Sequence, residues 1–216
     1  MSIGEKNFIR MLLIVIAIAS LILIIKINIT PKYDPKIYEE VYSEYENIVK
    51  KTESTNDTNN LNNTEISTTN EENIVYKVSG ITSGKNTYTV AGKIEIPKIN
   101  IAYPIVKETS DEYLKVAPTK YAGPRMHAVG NYCIVGHNYK NDQFFSKLSQ
   151  LEKNDEVYLI SNGGKRVTYL VYAKYEVNEN DLSCTSQDTN GEVEATLITC
   201  TSKKQNRLVV KCRAKI

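Results

Sequence analysis

The stretch Thr196-Leu197-Ile198-Thr199-Cys200 lies near the end of a 216-residue chain and consists of apolar and β-branched residues that lead to a cysteine. This pattern predicts a β-strand with the cysteine at its end. A turn of small and charged residues follows, and a second apolar run, residues 207–213, begins with Arg207. If the two runs form an antiparallel hairpin, the arginine returns beside the cysteine. A thiol next to a guanidinium is an electropositive setting that suits a nucleophile.

The composition is that of an ordinary globular protein, with 41% hydrophobic and 24% charged residues. Charge is distributed unevenly, because residues 30–75 hold four basic and ten acidic side chains, whereas residues 86–216 hold eighteen and fourteen. This contrast indicates two separate structural parts. The net charge of +2 gives no indication of nucleic-acid binding, and no nucleic-acid partner is expected. Four cysteines in a chain of this length do not indicate a small domain built on disulfides.

Residues 8–29 are predicted to form a membrane anchor. Residues 11–25 carry no charge and are flanked by Arg10 and Lys26, and the whole segment is close to the ~20 residues that cross a bilayer. A cleaved signal peptide is the alternative, since Ala17-Ile18-Ala19 resembles a cleavage site, but the apolar run continues beyond it. Basic residues before the span favour a cytoplasmic N-terminus. We therefore predict a single-pass protein of the cell membrane, with residues 1–29 as tip and anchor and the remainder outside the cell.

Two further segments precede the folded domain. Residues 30–51 predict an amphipathic helical stalk, because apolar and tyrosine side chains recur at helical spacing from Pro35 onward with glutamates between them. The apolar stripe would dock on the domain or on a partner, and a helix that simply rises from the membrane is the alternative. Residues 52–75 are Thr, Asn, Ser and Glu with almost nothing apolar, which predicts a disordered linker.

Residues 76–216 are predicted to form one mainly β domain, with a core of about residues 90–214. The strongest hairpin signal is Asn162-Gly163-Gly164-Lys165 between two apolar runs. One short helix is expected at residues 143–151. Its buried face would comprise Phe144, Phe145, Leu148 and Leu151. The predicted strands are residues 93–96, 99–106, 131–135, 155–161, 166–177, 194–199 and 207–213. Many short strands joined by turns favour a closed or nearly closed barrel.

The chain has two histidines, and either could partner a catalytic thiol. His137 follows an apolar strand and Gly136, whereas His127 lies in a Gly- and Pro-containing connection. A histidine and a cysteine at two strand ends are the minimum for thiol catalysis, because the imidazole exchanges protons with the nucleophile or the leaving amine. From spacing alone, a solvated loop histidine and a buried strand cysteine are the more ordinary interpretation.

The ordered motifs resemble those of the sortases, membrane-anchored cysteine transpeptidases of Gram-positive bacteria. The matching elements are Gly130-Asn131-Tyr132-Cys133-Ile134-Val135-Gly136-His137, then Thr196-Leu197-Ile198-Thr199-Cys200, then Arg207, with Ile94-Glu95-Ile96-Pro97-Lys98-Ile99 and Phe144-Phe145-Ser146-Lys147-Leu148 in the same order. The resemblance covers about residues 90–214. It implies a closed eight-stranded β-barrel with short helices, preceded by a transmembrane helix and a partly helical, partly disordered stalk.

The resemblance also implies a mechanism. Cys200 attacks the Thr–Gly bond of a Leu-Pro-x-Thr-Gly-type sorting signal and forms a thioester, and His137 carries protons to the leaving amine and from the incoming one. Arg207 donates hydrogen bonds to substrate carbonyls or to the oxyanion. The partners would be surface proteins bearing a C-terminal sorting signal and an amine of a peptidoglycan precursor or cross-bridge.

Finer assignments follow from the same resemblance. The substrate-binding candidates are Thr199, Ile198 and Asn138, and the loop at residues 181–190, with Cys184, is expected to edge the substrate groove. No cofactor is expected; some sortases bind calcium through acidic loop residues, but no dense carboxylate cluster here calls for it. The absence of an evident long helical insertion favours a class D-like or class A-like form over class B.

Three alternatives compete with this interpretation. An extracellular cysteine peptidase of the papain type usually has its cysteine before its histidine, opposite to the order here. A non-catalytic surface-binding module would give no reason for Cys200, His137 and Arg207 to converge. A zinc site at Cys133, His137, Cys200 and Cys212 would lack the usual Cys-x-x-Cys spacing. Disulfides among the four cysteines are compatible with an extracellular location, provided that Cys200 stays free.

Overall fold

The computed structural model of the chain describes residues 35–58, 79–83, 86–139, 141–202 and 205–215. They form one long helix, nine strands and four short 3-10 turns. The helix α1 is Pro35–Thr58. The strands are β1 Ser79–Ser83, β2 Asn86–Ile96, β3 Ile101–Val106, β4 Thr119–Ala122, β5 Gly130–Val135, β6 Glu156–Ser161, β7 Arg166–Asn178, β8 Val193–Cys200 and β9 Asn206–Ala214. The 3-10 turns are Pro97–Ile99, Tyr113–Lys115, Leu148–Gln150 and Ser183–Thr185.

Eight of the strands close into a barrel. They follow the order β2-β3-β4-β5-β8-β9-β7-β6, and β6 pairs back onto β2 from Gly92 to Glu95. Strand β1 pairs only with the first part of β2 and lies outside this ring. Two pairs of neighbouring strands in the ring are parallel, β3 with β4 and β5 with β8. The other pairs are antiparallel. The prediction of a closed eight-stranded barrel is confirmed.

Alternate residues of the strands fill the barrel, as the two-residue period of a β-strand requires. The interior cluster includes Ile94, Ile105, Ile134, Leu159, Leu197 and Val210, all fully buried. Strand β8 is buried on both faces, since Val193 through Thr199 are all buried. Ile198 belongs to a second, outer cluster with Val209 and Cys184. Strand β8 has a strand on each side and is covered on both faces. Cys200, its last residue, is therefore the only exposed residue of the strand.

Seven strands lie where the sequence predicts them. Six agree within two residues at each end, whereas β2 begins at Asn86, seven residues before the predicted start. The 161–166 connection is the predicted hairpin turn, in which Gly164 has a φ of 79° and the Ser161 N–H donates to the Lys165 carbonyl over 3.0 Å. Strands β1 and β4 were not predicted. They are short, at five and four residues, and carry little alternation that could distinguish them from loops.

The predicted helix at residues 143–151 is wrong, although its four apolar side chains are buried as expected. The segment is a series of turns that ends in the 3-10 turn Leu148–Gln150. Phe144 has a left-handed φ of 51°, and the Phe145 N–H donates to the carbonyl of His137 over 3.0 Å. Such a φ cannot be part of an α-helix, and a backbone bond to a distant turn takes the place of a helical one.

Helix α1 confirms the amphipathic helix expected from Pro35 onward, and it packs against the barrel. Val41 and Tyr45 are buried against Tyr88, Val90 and Val106 in a third apolar cluster. Lys93 of β2 also forms an ion pair with Glu46 at 2.8 Å. Of the two alternatives for the apolar stripe, docking on the domain is the one observed.

Several predicted segments fall wholly or partly outside the described residues. Helix α1 continues to Thr58, so residues 52–58 of the predicted disordered linker are helical, and residues 59–75 lie outside the described part. The predicted anchor at residues 8–29 also lies outside it. Within the described residues, no helix has the length and apolar character needed to cross a membrane.

Two glycines with positive φ test how tightly the barrel is closed. A Cβ added to Gly123, which follows β4, would lie 2.0 Å from the backbone oxygen of Asn131, whereas one added to Gly164 meets nothing within 4 Å. We expect Gly164→Ala to lower the free energy of unfolding by about 1–2 kcal/mol, the cost of a left-handed alanine. Gly123→Ala should abolish the cooperative unfolding transition in urea, followed by circular dichroism. Equal midpoints for the two variants would contradict this account of closure.

Candidate active site

The hairpin of β8 and β9 brings Cys200 and Arg207 together. They are directly opposed residues of the antiparallel ladder, the last pair before the turn, which is closed by a bond from the Thr201 N–H to the Asn206 carbonyl at 3.1 Å. Opposed residues project from the same face with Cβ atoms about 4.5–5.5 Å apart. The arginine backbone therefore lies beside the cysteine, as the sequence predicts.

Cys200 is the only exposed cysteine, and all four cysteines are free thiols. Cys133 and Cys212 are fully buried and Cys184 nearly so. Burial raises the pKa of Cys133 to about 12 and also raises the pKa values of the Cys184 and Cys212 thiols. Because a thiol must ionise and meet its substrate in order to act as a nucleophile, Cys200 is the one cysteine suited to that role.

The guanidinium of Arg207 contacts Glu179, a residue that the sequence analysis missed. Arg207 Nη2 donates to Glu179 Oε2 at 3.0 Å, and both side chains are partly exposed. Glu179 directly follows β7, and its N–H donates to the Gln205 carbonyl at 2.8 Å, so the β8–β9 turn holds the carboxylate in place. The sequence did contain a signal for this residue, since Glu179 is an acidic side chain two positions after the predicted strand 166–177. Pairing it with Arg207 requires the register between β7 and β9, which no local pattern encodes.

His137 lies in the turn after β5, and three hydrogen bonds join this turn to the end of β8. The Gly136 N–H donates to the Ile198 carbonyl at 3.1 Å, and the Thr199 hydroxyl donates to the Gly136 carbonyl at 2.7 Å. The Asn138 side-chain amide donates to the Cys200 carbonyl at 2.7 Å. The residues on each side of His137 are thus bonded to three consecutive residues that end in Cys200, which brings the predicted histidine and cysteine to one end of the barrel.

The His137 ring is half-buried, and its Nε2 is a buried atom without a hydrogen-bond partner among the described residues. Burial is the main cause that lowers the pKa of His137 below its ordinary 6.5; Asp111 opposes the shift and Lys115 adds to it. The imidazole is therefore neutral at neutral pH. A buried polar atom without a partner is uncommon in folded proteins and often marks a catalytic group.

His127 is bonded through both ring nitrogens. Nδ1 lies 3.1 Å from the Tyr169 hydroxyl and Nε2 lies 3.2 Å from the Lys165 carbonyl. These bonds link its loop to β7 and to the adjoining hairpin turn. Of the two histidines, His137 is accordingly the one with a ring nitrogen available for proton transfer.

The three predicted substrate-binding residues occupy different environments. Thr199 is 2% exposed and its hydroxyl is engaged by Gly136, while the exposed Asn138 uses its amide on the Cys200 backbone. Both join the histidine turn to the cysteine strand. Ile198 lies on the outer face of β8 with Val209 and Cys184. Their contact with a substrate stays a prediction.

The loop at residues 181–190 is anchored over the outer face of the barrel, where Cys184 packs with Ile198. The Cys184 carbonyl accepts hydrogen bonds from Asn131 Nδ2 at 3.0 Å and from Lys211 Nζ at 3.4 Å. Gln187 pairs reciprocally with the Asn131 backbone, through Oε1 and Nε2 at 3.1 Å each. Asn131 is fully buried, so this clamp holds the predicted groove edge in one position. The sequence offered Asn131 only as a polar residue within an apolar strand.

No group of three or more histidine, cysteine, aspartate or glutamate side chains suited to a metal ion occurs in the described part of the chain. The absence of a cofactor stays a prediction.

Comparisons with known proteins find similarity to sortases in sequence and in fold. A family model described as "Sortase domain" matches residues 94–215. Sortase A of Bacillus anthracis is 31% identical over 118 residues, which make up 54% of this chain and 55% of that protein. Sortase A of Listeria monocytogenes is 25% identical over 112 residues, 51% of this chain and 49% of that protein. The chain spans about half the length of the curated relatives it matches.

A solved structure of Clostridium perfringens sortase C, with the C-terminal cell wall sorting motif, has the same architecture. It matches with a TM-score of 0.55 and 20% identity, and the match covers 88% of this chain and 94% of that one. At this identity the likeness concerns the fold.

The Thr199 hydroxyl is expected to hold the His137 turn on β8. In Thr199→Val the side chain keeps its shape but leaves the buried Gly136 carbonyl without this donor, which should lower the free energy of unfolding by about 1–3 kcal/mol. Thr199→Ser keeps the hydroxyl and should lose less. Urea unfolding measures both variants. A valine variant as stable as the serine variant would contradict the proposed link.

The lowered pKa of His137 should make stability depend on pH. Between this lowered pKa and the ordinary 6.5, the unfolded chain binds a proton that the folded chain does not. The free energy of unfolding therefore rises with pH across this window and falls on acidification below 6.5. His137→Gln, which cannot titrate, should show a flatter dependence in urea unfolding measured across the same window. Identical slopes for the variant and the wild type would be the contrary result.

Proposed function

The chain belongs to the sortase family, and on that premise we propose that it is a cysteine transpeptidase with Cys200, His137 and Arg207 as its catalytic residues. One observation carries the assignment of residues. The opposed pair Cys200 and Arg207 ends the β8–β9 ladder, and the His137 turn is hydrogen-bonded to that same end. A nucleophile, a proton carrier and a cationic donor thus meet at one exposed edge of the barrel.

In the acylation step, the neutral His137 imidazole first accepts the proton of the Cys200 thiol, and the resulting thiolate attacks the carbonyl carbon of the scissile peptide bond. A C–S bond forms, and the tetrahedral intermediate then collapses with cleavage of the C–N bond. His137, protonated at this stage, gives its proton to the leaving amine. The products are a thioester that joins the amino-terminal part of the substrate to Cys200, a neutral imidazole, and a released carboxy-terminal fragment with a free amino group.

In the second step, an amine attacks the thioester. Neutral His137 accepts a proton from this amine, a new C–N bond forms and the C–S bond breaks, which regenerates the thiolate and the imidazolium. The buried, unpaired Nε2 of His137 suits both proton transfers. If water attacks in place of the amine, the same steps amount to hydrolysis.

Arg207 would stabilise the negative charge that develops on the substrate oxygen. Its planar guanidinium stays protonated at any working pH and presents several N–H donors in a fixed arrangement. The Glu179 contact at 3.0 Å restricts where this guanidinium can lie. A lysine in its place would offer one ammonium group with no planar fork, and could not reproduce both contacts.

The substrate is proposed to be a C-terminal sorting signal of the Leu-Pro-x-Thr-Gly type on a surface protein. The related Clostridium perfringens sortase C has been solved with its C-terminal cell wall sorting motif. In this chain, the buried outer cluster of Ile198, Val209 and Cys184 lies along β8 next to Cys200, and it supports the loop that would edge the groove for such a peptide.

The cellular setting is proposed on the basis of sequence. Residues 8–29 would anchor the protein in the cell membrane with its N-terminus in the cytoplasm, so that residues 76–216 act outside the cell. The amine would come from a peptidoglycan precursor or cross-bridge, and the product would be a surface protein joined to the cell wall. The class A-like or class D-like form stays a prediction.

Three variants test the catalytic assignment on a Leu-Pro-x-Thr-Gly peptide with an added amine. Cys200→Ala should abolish the thioester, because no other thiol is exposed. His137→Ala should lower kcat/KM by on the order of a thousandfold, and Arg207→Lys by on the order of a hundredfold. His127→Gln and Cys133→Ala, which remove the other histidine and a buried thiol, serve as matched controls and should keep most of the activity.

Intact-mass spectrometry distinguishes the possible functions. A covalent adduct on Cys200 that an added amine releases supports transpeptidation. Release by water alone, whatever the amine, would identify a peptidase. A wild-type protein that binds the peptide without forming any adduct would instead be a binding module. A fully active Cys200→Ala variant would contradict the proposal.

A further inference from the structure

We propose that Phe144 is a positioning residue for His137, and that Tyr38 of helix α1 holds Phe144 in place. This inference rests on the proposed function insofar as His137 is the proton carrier. It makes helix α1 part of the support of the active site rather than a mere stalk.

The backbone of Phe144 is the first observation. Its φ of 51° is in the left-handed region, which bulky side chains rarely adopt, and its ring is fully buried. Such a conformation persists only where the surroundings impose it, and it tends to occur at functional sites. Here the Phe144 N–H donates to the Tyr103 hydroxyl of β3 at 3.2 Å, so the unusual backbone has a fixed partner in the barrel.

On one side, Phe144 contacts the residues that follow His137. Its backbone forms an isolated antiparallel bridge with Asn138, and its ring lies 5.5 Å from the Tyr139 ring. The Tyr139 ring in turn lies 5.0 Å from the His137 imidazole. The next residue, Phe145, donates its N–H to the His137 carbonyl. The imidazole thus packs against an aromatic side chain that Phe144 supports.

On the other side, Phe144 is enclosed by rings from two separate elements. Tyr103 of β3 lies edge-on at 5.2 Å, and Tyr38 of α1 lies edge-on at 6.4 Å. Tyr38 also contacts Tyr103 at 5.7 Å, and Tyr42 stacks on Tyr38 from one turn further along the helix. Edge-on aromatic pairs at these separations are favourable and directional. A continuous series of rings therefore leads from α1 through Phe144 and Tyr139 to His137.

Loss of this support should admit water to the imidazole. The charged groups that act on His137, Asp111 and Lys115, belong to the connection between β3 and β4, and neither belongs to the aromatic series. A change confined to the rings would thus alter the burial of His137 and leave these charges in place. Because burial is the main cause that lowers its pKa, that pKa should rise toward its ordinary value.

The test compares four full-length proteins in detergent: wild type, Phe144→Gly, Tyr38→Leu and Tyr42→Leu. Glycine tolerates the positive φ, so Phe144→Gly deletes the ring and keeps the backbone path. Tyr42→Leu is the graded comparison, because it removes a ring of the same helix that stacks on Tyr38 but has no ring contact with Phe144 among the described residues. NMR titration of the two imidazoles reports the pKa of His137, with His127 as an internal reference. Steady-state kinetics gives kcat and KM.

We expect Phe144→Gly and Tyr38→Leu to raise the pKa of His137 and leave that of His127 unchanged. The value of kcat should fall on the order of tenfold with little change in KM, since a displaced proton carrier impairs chemistry more than binding. Tyr42→Leu should raise the pKa of His137 less than Tyr38→Leu does, because its ring reaches Phe144 only through Tyr38. If Phe144→Gly does not fold, the two tyrosine variants decide the question alone.

Two results would overturn the proposal: unchanged His137 titration in Tyr38→Leu, or equal changes in Tyr38→Leu and Tyr42→Leu, which would indicate general loosening of the helix. The titration does not depend on activity. A wild type that forms no thioester would therefore refute the proposed function, while the imidazole titrations would still decide whether Phe144 and Tyr38 position His137.

Discussion

The backbone pairing of β8 on both of its edges is the constraint on which the site depends. On one edge β5 runs parallel and extends into the His137 turn, and on the other β9 runs antiparallel and carries Arg207 as its second residue. In the sheet β5 and β9 are each paired with β8 and not with each other, so β8 brings them together. Because parallel strands begin at the same edge of a sheet, the turn after β5 and the end of β8 emerge at one end of the barrel. The chemistry at Cys200 follows from this arrangement.

Burial then selects among residues of the same type. Cys133, Cys184 and Cys212 are enclosed and difficult to ionise, whereas Cys200 is exposed at the point where β8 leaves the barrel. The two histidines are separated in a similar way, because the ring of His127 is hydrogen-bonded at both nitrogens and the Nε2 of His137 is not. A single exposed thiol and a single available imidazole result from packing, since nothing in the residue types distinguishes them.

The site is held by elements that lie far from it in sequence. Glu179 reaches Arg207 from the end of β7, and Asn131 fastens the loop over the outer face of β8. Helix α1 contributes Tyr38, which contacts Phe144 from more than a hundred residues earlier in the chain. These supports differ in kind: an ion pair, a buried amide network and a set of aromatic contacts. All restrict side chains or loops that would otherwise sample several positions.

Local patterns by themselves determined seven of the nine described strands, the Asn162–Lys165 turn, the amphipathic helix and the adjacency of Cys200 and Arg207, because each depends on residues close together in the chain. The many short strands already favoured a barrel, whereas the choice of His137 and the number of eight strands came from the resemblance of ordered motifs. The tertiary structure alone decided the closure of β6 onto β2, the pairing of β5 with β8, the partner of Arg207 and the left-handed Phe144 in place of a helix. The physical reason is that side-chain periodicity encodes which face of an element is buried, whereas the partner that covers it is chosen by contacts such as that of Asn138 with Cys200, 62 residues apart.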